Sequence, residues 1–266
     1  MKAFLKWAGG KSKIFPNIKA HFKEGKRLVE PFVGSGSVFL NTSFEKYLLC
    51  DNNIDLINVY NNLKKFPDKL IAKTKDLFVK HNNSEEQFYL LREKFNLLKS
   101  NDIEKSAIFI YLNKHAFNGL CRYNSKGFFN VPFGRYKNPE FPGSKMYNFA
   151  EKSHNAIFKY QDFDITFKQI RQGDIVYCDP PYVPLTDTSN FTAYSKKDFN
   201  IEQHKKLAQN AEVLQTKGIQ CIVSNHDSEI TRELYKKSNI FELKVQRFIA
   251  SKVISRKRVG EIIAVF

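Results

Sequence analysis

The chain has few of the residues that bind metals or form disulfide bonds. Its 266 residues include only four cysteines and six histidines. The cysteines are isolated from one another, and no C-x-x-C pair occurs; they are Cys50, Cys121, Cys178 and Cys221. This spacing excludes a zinc ribbon and predicts reduced thiols, as in a cytosol. The histidines show no ligand-like spacing either, so we expect no metal site.

Long apolar runs are also missing. No stretch approaches the length that spans a membrane, and residues 1–7 lack the apolar core of a signal peptide. Internal repeats and low-complexity tracts are absent. With 42% hydrophobic and 14% aromatic residues, the sequence predicts a folded, soluble protein of the cytoplasm.

Acidic residues are scarce compared with basic ones. The chain has 43 Lys and Arg against 27 Asp and Glu, which gives a net charge of +16. Acids are absent from residues 105–139 and again from 243–260, and each tract holds six basic residues. A solvated surface is one explanation. The overall surplus favours the other, which is binding to a polyanion such as nucleic acid.

The hydrophobic pattern predicts an α/β fold, because short apolar runs typical of buried parallel strands alternate with helical segments. A helix capped by Asn200 and ended by Gly218 precedes the last of these runs. The other predicted elements are strands at 28–32, 46–50, 175–178 and 219–223, a helix at 37–42, and a terminal β-pair of 243–249 with 261–266.

Residues 58–145 interrupt this alternation. Ser84 and Asp102 begin helical patterns, and a loop rich in Gly, Asn and aromatic residues follows Asn113. We therefore predict a Rossmann-like catalytic domain formed by residues 1–57 and 146–266, with a mainly helical lobe, 58–145, inserted into it.

A third glycine is missing from the turn after the first predicted strand. Gly34 and Gly36 form a Gly-x-Gly turn, but Phe39 stands where the dinucleotide fingerprint requires glycine. Asp51 ends the next strand, at the position of a ribose-binding carboxylate. The pattern argues against NAD and favours a donor with one nucleoside and no pyrophosphate, such as S-adenosylmethionine. An Asx-turn or helix cap at Asp51 is the alternative. The segment 10–12 is no P-loop, because Leu5 replaces its first glycine.

The strand at 174–178 runs into the tetrapeptide Asp179-Pro180-Pro181-Tyr182. The Asp179 carboxylate and the Pro180 carbonyl can accept both hydrogens of an exocyclic amino group, while the Tyr182 ring stacks on the base. Prolines stiffen the loop and leave no competing N–H. A simple strand terminator is the alternative. Since Asp51 and Asp179 both follow strands, donor and amine can share one crevice, and the prediction is amino-group methylation by positioning and electrostatics.

Seven segments in order resemble the DNA adenine-N6 methyltransferases, and closely the bacterial Dam group, which modifies GATC. The resemblance covers nearly the whole chain and follows the alpha order of motifs. Its segments are 4–11, 28–37, 118–124, 129–136, 179–182, 190–194 and 224–227.

The resemblance implies an S-adenosylmethionine-dependent methyltransferase sheet with an inserted DNA-recognition lobe. It implies catalysis by Asp179, Pro180 and Tyr182 on an adenine flipped out of double-stranded DNA, and we expect a monomer. The implied donor contacts are Trp7, Lys11, Glu30, Pro31, Phe32, Ser37, Asp51, Phe163 and Asp179. The implied base-reading residues are Lys6, Leu120, Arg122 and Pro132. Asn118, Arg135 and Tyr136 would support an intercalating loop that carries Phe117, and the phosphate contacts would be Arg92, Lys114, Asn124, Asn130 and Lys137.

The chain departs from the family pattern at two places. Phe117 stands where relatives carry Tyr, so stacking is retained but a hydroxyl is lost. The basic loop 250–258 lacks the expected glycine-rich stretch. Other functions are weighed beside this one: a catalytically silent sequence-specific DNA-binding protein, methylation of cytosine N4 or of a protein glutamine, and, least favoured because of Phe39, an NAD oxidoreductase.

Overall fold

Strands and helices alternate along the chain. The computed structural model describes residues 1–183, 199–243 and 260–266. Its strands are β1 (Arg27–Glu30), β2 (Lys46–Asp51), β3 (Ala156–Tyr160), β4 (Asp174–Cys178), β5 (Gln220–His226), β6 (Asn239–Leu243) and β7 (Glu261–Val265). Its helices are α1 (Phe15–Lys19), α2 (Ser37–Asn41), α3 (Ile54–Lys65), α4 (Pro67–Leu77), α5 (Glu85–Leu97), α6 (Ile103–His115), α7 (Gly143–Lys152), α8 (Phe163–Phe167), α9 (Ile201–Thr216) and α10 (Glu229–Leu234).

The described strands form a seven-stranded sheet in the order β3-β2-β1-β4-β5-β7-β6. β4 pairs in parallel with both β1 and β5, whereas β7 runs antiparallel to β5 and β6. The direction of strand succession reverses between β1 and β4. Open α/β sheets bind ligands beyond the carboxyl ends of strands at such a point. The ends of β1 and β4 are therefore where a site is expected.

The central strands are apolar because they are buried. All five residues of β4 are buried, and so are the first six of β5 and the first four of β7. Polar side chains in these strands need partners inside the protein. Asp174 finds one in Arg27, directly opposite on β1, whose guanidinium donates to both carboxylate oxygens at 2.9 and 2.6 Å.

The predicted helix starts are confirmed by their caps. The side chains of Ser84 and Asp102 accept backbone N–H bonds at the starts of α5 and α6. Asn200 and Gln203 exchange side-chain and backbone bonds at the start of α9. Each bond satisfies a helix N–H that has no partner within the helix.

β7 forms at the predicted position and pairs with β5 and with β6, in which Leu243 lies opposite Glu261. The predicted partner strand, 243–249, is described only at Leu243. Residues 244–249 lie outside the described residues, as do the basic loop 250–258 and the motif 190–194. β3 and α8 are additions to the predicted elements. β3 alternates buried and exposed residues, a pattern shorter and weaker than the apolar runs of β1 and β4.

The chain divides into two compact units. The first unit comprises Met1–Ser12, Val33–Thr42 and Leu49–Gln161, and the second comprises Lys13–Phe32, Ser43–Leu48 and Asp162–Phe266. The predicted lobe, 58–145, lies inside the first unit, and its status as a separate domain stays a prediction.

The first unit is organised around α6. Every residue of this helix from Ser106 to His115 is buried, and it packs against α3, α4 and α5. A helix that is apolar nearly all round belongs in a core. Its polar residues Asn113, Lys114 and His115 are therefore buried. The Asn113 side chain forms hydrogen bonds with the backbone of Lys6.

The second unit contains β1, β4, β5, β6 and β7 with the helices α1, α8, α9 and α10. Its core strands supply the tetrapeptide and the side chains around it. Over the described parts of both units, no helix has the length and apolar character needed to cross a membrane.

Candidate active site

The tetrapeptide leaves β4 at the carboxyl edge of the sheet, in the second unit. Val29 lies opposite Val176, so three residues further along each strand come Phe32 and Asp179. Cys178 lies opposite Val223, which brings Ser224 level with Asp179. The parallel pairing of these strands thus sets the end of β1, the tetrapeptide and the end of β5 side by side.

Asp179 is held from β5. The Ser224 hydroxyl donates to its Oδ1 at 3.1 Å, and the Tyr177 hydroxyl lies 3.0 Å from the same Ser224 oxygen. Burial raises the pKa of Tyr177 well above its ordinary value, and the nearby Asp179 raises it further, so this phenol stays protonated. The Asp179 carboxylate therefore has a fixed position on a half-buried loop.

Tyr182 is held from β7 and β5. Its hydroxyl donates to Oε1 of Glu261 at 2.8 Å. Its ring meets the His226 ring edge to face, with centroids 4.1 Å apart and planes at 68°. No motif in the sequence predicts a role for Glu261. The signal available there is a lone carboxylate at the start of an otherwise apolar strand.

Aromatic rings gather beyond the end of β1 in the second unit. Phe32 and Phe163 stack with centroids 5.6 Å apart and planes at 26°. Phe199 meets both rings, at 5.4 and 5.3 Å. Glu30 and Pro31, just before Phe32, are buried. The structure thus brings together four of the predicted donor-binding residues of this unit, Glu30 to Phe32 by sequence and Phe163 by packing.

The Gly-x-Gly turn belongs to the first unit. Gly34 has a φ of +47°, and a Cβ there would lie 2.9 Å from the Trp7 indole nitrogen. Its N–H donates to Asp51 Oδ2 at 3.0 Å. Only glycine fits this backbone, because any side chain would clash with the indole and strain the chain. Trp7 and Asp51 therefore both contact Gly34.

Asp51 forms the Asx-turn that was the alternative explanation for it, and its ribose-binding role stays a prediction. Its Oδ1 accepts the Asn53 N–H at 3.0 Å, which is an Asx-turn, while Oδ2 accepts from Gly34. Asn53 in turn caps α3. Burial raises the pKa of Asp51 to about 6 despite these backbone bonds. A buried carboxylate at the end of a strand remains suited to binding hydroxyls.

Lys11 and Ser37 meet beside this turn. The Lys11 backbone N–H donates to the Ser37 hydroxyl at 3.3 Å, and its buried ammonium donates to the Gly9 carbonyl at 2.8 Å. Trp7, Lys11, Ser37 and Asp51 thus form one group of predicted donor contacts within the first unit.

Lys6 lies in the first unit against the end of α6. Asn113 exchanges two hydrogen bonds with the Lys6 backbone, at 2.8 and 2.7 Å. The Lys6 ammonium donates to the Lys114 carbonyl at 3.0 Å and lies 3.9 Å from the centroid of the Tyr136 ring. Partial burial lowers the pKa of Lys6. A Cβ on Gly119 would lie 2.5 Å from the Lys6 side chain, so glycine is required there too.

Arg122 is held in place by its neighbour on the loop. Its Nε donates to Asn130 Oδ1 at 2.9 Å, and its Nη2 donates to the Asn130 carbonyl at 3.2 Å. Tyr123, the next residue, donates to Asp55 Oδ2 at 2.8 Å and anchors the loop to α3. The guanidinium itself is exposed.

Apolar side chains of this loop face solvent. Phe117 is 49% exposed, and Leu120 and Pro132 are exposed as well. Asn118 and Arg135 have φ values of +52° and +55°, which non-glycine residues adopt rarely. Such strain is concentrated at functional sites.

The predicted phosphate contacts do not share one environment. Asn124 and Lys137 are exposed, whereas Arg92 donates to the Val131 carbonyl at 3.1 Å and stacks on Tyr89. Lys114 is only 8% exposed, and burial, followed by the charges of Lys145 and Lys6, lowers its pKa to about 8.

Comparison with known proteins identifies the family. The profile of the D12 class N6 adenine-specific DNA methyltransferases matches residues 7–249. The chain belongs to this class. It is 47% identical to the DNA adenine methylase of Escherichia coli K12 over 100% of this chain and 95% of the relative. It is 46% identical to that of Vibrio cholerae El Tor Inaba N16961 over 100% and 96%.

The class fixes the reaction in outline. The protein is an enzyme that methylates adenine N6 in DNA and needs a methyl donor. The alternatives of cytosine N4, a protein glutamine, a silent DNA-binding protein and an NAD enzyme are thereby set aside. Over the described residues, His, Cys, Asp and Glu form no group that could hold a metal ion. A solved precorrin 8W decarboxylase from Methanobacterium thermoautotrophicum has 11% identity and a TM-score of 0.39, over 96% of this chain and 89% of that one, which is too remote to carry an argument.

Proposed function

We propose that the enzyme methylates the adenine of duplex GATC after that base has been flipped out of the helix. The Dam-like motifs of the sequence support the target, and the tetrapeptide supports the chemistry. The observation that carries the proposal is the pair of bonds that fix Asp179 and Tyr182 at the end of β4.

Asp179 and Pro180 would bind the amino group. The carboxylate and the Pro180 carbonyl accept its two hydrogens, which draws the nitrogen lone pair out of the ring system and towards the methyl group. The donor would supply the methyl group from its sulfonium sulfur, which would leave as a neutral thioether, and the nitrogen would then lose a proton to the Asp179 carboxylate. Tyr182 stacks on the base and holds it in plane.

We propose S-adenosylmethionine as the donor, which supplies a methyl group activated on a sulfonium centre. The residues fit such a ligand. In the first unit, Asp51 offers a carboxylate to ribose hydroxyls, Gly34 lets the Trp7 indole lie against the turn, and Lys11 and Ser37 lie next to them. In the second unit, Phe32 and Phe163 offer flat faces to a purine. Glu30 and Pro31 complete the residues that the family resemblance assigns to the donor.

The loop and helices of residues 58–145 are proposed as the DNA-recognition lobe. Exposed Arg122, with its position set by Asn130, is suited to a bidentate bond with guanine, and Lys6, Leu120 and Pro132 are proposed to read other bases. Phe117, exposed on a strained turn, is suited to insertion between base pairs, with Asn118, Arg135 and Tyr136 supporting it. The phosphate contacts are proposed to be Arg92, Lys114, Asn124, Asn130 and Lys137. We further propose a cytoplasmic monomer that works on chromosomal DNA.

The test is transfer of tritium from labelled S-adenosylmethionine to a GATC duplex at low salt. We expect incorporation into this duplex and little into a matched duplex with one base of the site changed. A third duplex with N6-methyladenine already at both target positions should accept none. Equal labelling of the first two duplexes would refute the proposed site, and labelling of the third would refute the proposed atom.

A further inference from the structure

Two side chains that face each other across β5 and β7 hold the ring of Tyr182. His226 lies directly opposite Glu261 in the antiparallel register, so their side chains point to the same side of the sheet. Glu261 accepts the Tyr182 hydroxyl hydrogen at 2.8 Å, and His226 contacts the ring. The hydroxyl end and the ring are thus both fixed, by different strands.

Glu261 is an expensive residue in this place. It is only 1% exposed and begins a strand whose next three residues are buried and apolar. Burying a carboxylate costs free energy unless hydrogen bonds compensate, and an apolar side chain of similar size would often stabilise the fold more. A role beyond packing explains why a carboxylate is placed against the phenol.

The sheet edge is shaped to bring β7 close. Gly260, just before Glu261, accepts the Asp227 N–H at 2.9 Å through its carbonyl. A Cβ on Gly260 would lie 3.1 Å from the Asp227 side chain. Glycine at position 260 thus allows the start of β7 to lie close against Asp227 at the end of β5, next to Glu261.

We propose that Glu261 is a positioning residue for catalysis, which acts through the Tyr182 hydroxyl to hold the ring in the plane that stacks on the flipped adenine. The inference rests on the proposed function. It adds a second support to the tetrapeptide, because Ser224 holds Asp179 from β5 while Glu261 holds Tyr182 from β7. The two ends of the amino-group clamp are then fixed independently.

A double-mutant cycle with single-turnover methylation of a GATC duplex tests the proposal. Tyr182→Phe keeps the ring and removes the donor, and Glu261→Leu removes the acceptor and keeps the bulk. Loss of one charge-assisted hydrogen bond should lower the methylation rate about tenfold or more in either variant. The double variant should be no slower than the single ones, because both changes remove the same bond. Affinities for DNA and donor should change less than about twofold.

Two further variants complete the cycle. Glu261→Gln keeps an acceptor oxygen and should recover part of the rate. Glu242→Gln is the matched control, since this exposed glutamate on the adjacent strand pairs with Arg232 at 2.6 Å, away from Tyr182. It should leave the rate unchanged. If Glu261→Leu destabilises the sheet, Tyr182→Phe still tests the bond, because it removes the hydroxyl donor and leaves the buried strand unchanged.

A readout without turnover separates this inference from the proposed function. In protein carrying 3-fluorotyrosine, the ¹⁹F signal of Tyr182, assigned by its loss in Tyr182→Phe, should shift in Glu261→Leu and stay in place in Glu242→Gln. An unmoved signal, additive losses in the cycle, or full activity of Tyr182→Phe would each overturn the role of Glu261. Failure of the unmutated enzyme to label GATC would overturn the proposed function instead, and the ¹⁹F shift would still decide whether Glu261 holds the Tyr182 ring.

Discussion

The tetrapeptide 179–182, proposed to be catalytic, and the loop proposed to read DNA hold their side chains in different ways. Asp179 and Tyr182 are fixed by groups from the buried strands β5 and β7. Arg122 and Arg135 are held by exposed hydrogen bonds, to Asn130 and Glu85. Buried bonds are screened little and preorganise a site, whereas exposed bonds are weak and exchange readily for bonds to a ligand. The proposed catalytic groups are thus fixed in advance, whereas the proposed reading groups can exchange their bonds for bonds to DNA.

Asp179→Ala should have the largest effect and is the strongest test of the proposed preorganisation of residues 179–182. It removes the acceptor that the clamp needs, so turnover should fall by about 10²- to 10³-fold or more. DNA affinity should change little, because the reading loop belongs to the first unit. Single-turnover rates and fluorescence anisotropy of a labelled duplex measure both quantities.

The control for this variant is Asp68→Ala, which removes an exposed carboxylate bonded to Tyr147. It should leave both quantities unchanged. A comparable loss of affinity and rate in Asp179→Ala would mean that the carboxylate supports the fold and not the reaction.

Arg122→Ala should remove the proposed recognition of one base pair in the target site. If its guanidinium pairs with guanine, discrimination at that base pair should fall by about 1–3 kcal/mol, while the other positions keep theirs. Methylation of duplexes with single-base changes gives the profile. A uniform loss across all duplexes would make Arg122 a phosphate contact.

Asp51 is a buried group of the proposed donor site, and its ionisation should make both folding and donor binding depend on pH. Burial raises its folded pKa to about 6, above the ordinary 3.8. The ionised form is therefore disfavoured in the fold, and this group favours folding more as the pH falls from about 6 towards 3.8. Donor binding should change in the opposite direction, since the ionised carboxylate is the form proposed to accept the ribose hydroxyls.

Affinity for S-adenosylmethionine should therefore weaken by up to about tenfold per pH unit below 6. Isothermal titration calorimetry between pH 5 and 8 measures this change in affinity, which should be about tenfold per pH unit below 6. The Asp51→Asn variant should bind more weakly and show a flat profile in this window. An identical pH profile in that variant would assign the titration to another group.

Lys137→Ala should have the smallest effect, and it tests whether this exposed lysine of the loop contacts a phosphate. A lysine that contacts one phosphate contributes to every sequence alike, so affinity should fall uniformly and the slope of log K against log salt should flatten by about one. Lys217→Ala, at an exposed position of the second unit, is the control and should leave the slope unchanged. A sequence-dependent loss would contradict a pure phosphate contact.

Local patterns in the sequence predict the elements that carry the site. The apolar runs of β1, β2 and β4 and the caps Ser84, Asp102 and Asn200 are all local signals, and the structure confirms them. The Gly-x-Gly turn and the tetrapeptide are local as well. Their order along parallel strands was enough to predict that they lie at the carboxyl edge.

Contacts between distant residues were not predictable in the same way. Glu261 is 79 residues from Tyr182, and Asn113 is 107 residues from Lys6. Neither pair leaves a periodic signal, because each depends on how strands and helices pack. The burial of Lys114 is a further case, since a lysine in an acid-free tract reads as exposed until α6 is seen to be buried on all sides.

The most direct test of the account is a crystal structure of the enzyme with the donor analogue sinefungin and a GATC duplex. We predict an adenine outside the duplex, with its amino nitrogen within hydrogen-bonding distance of Asp179 Oδ1 or Oδ2 and of the Pro180 carbonyl, and its ring stacked on Tyr182. An adenine that remains in the base stack, or that binds with its amino group turned away from Asp179, would contradict the account.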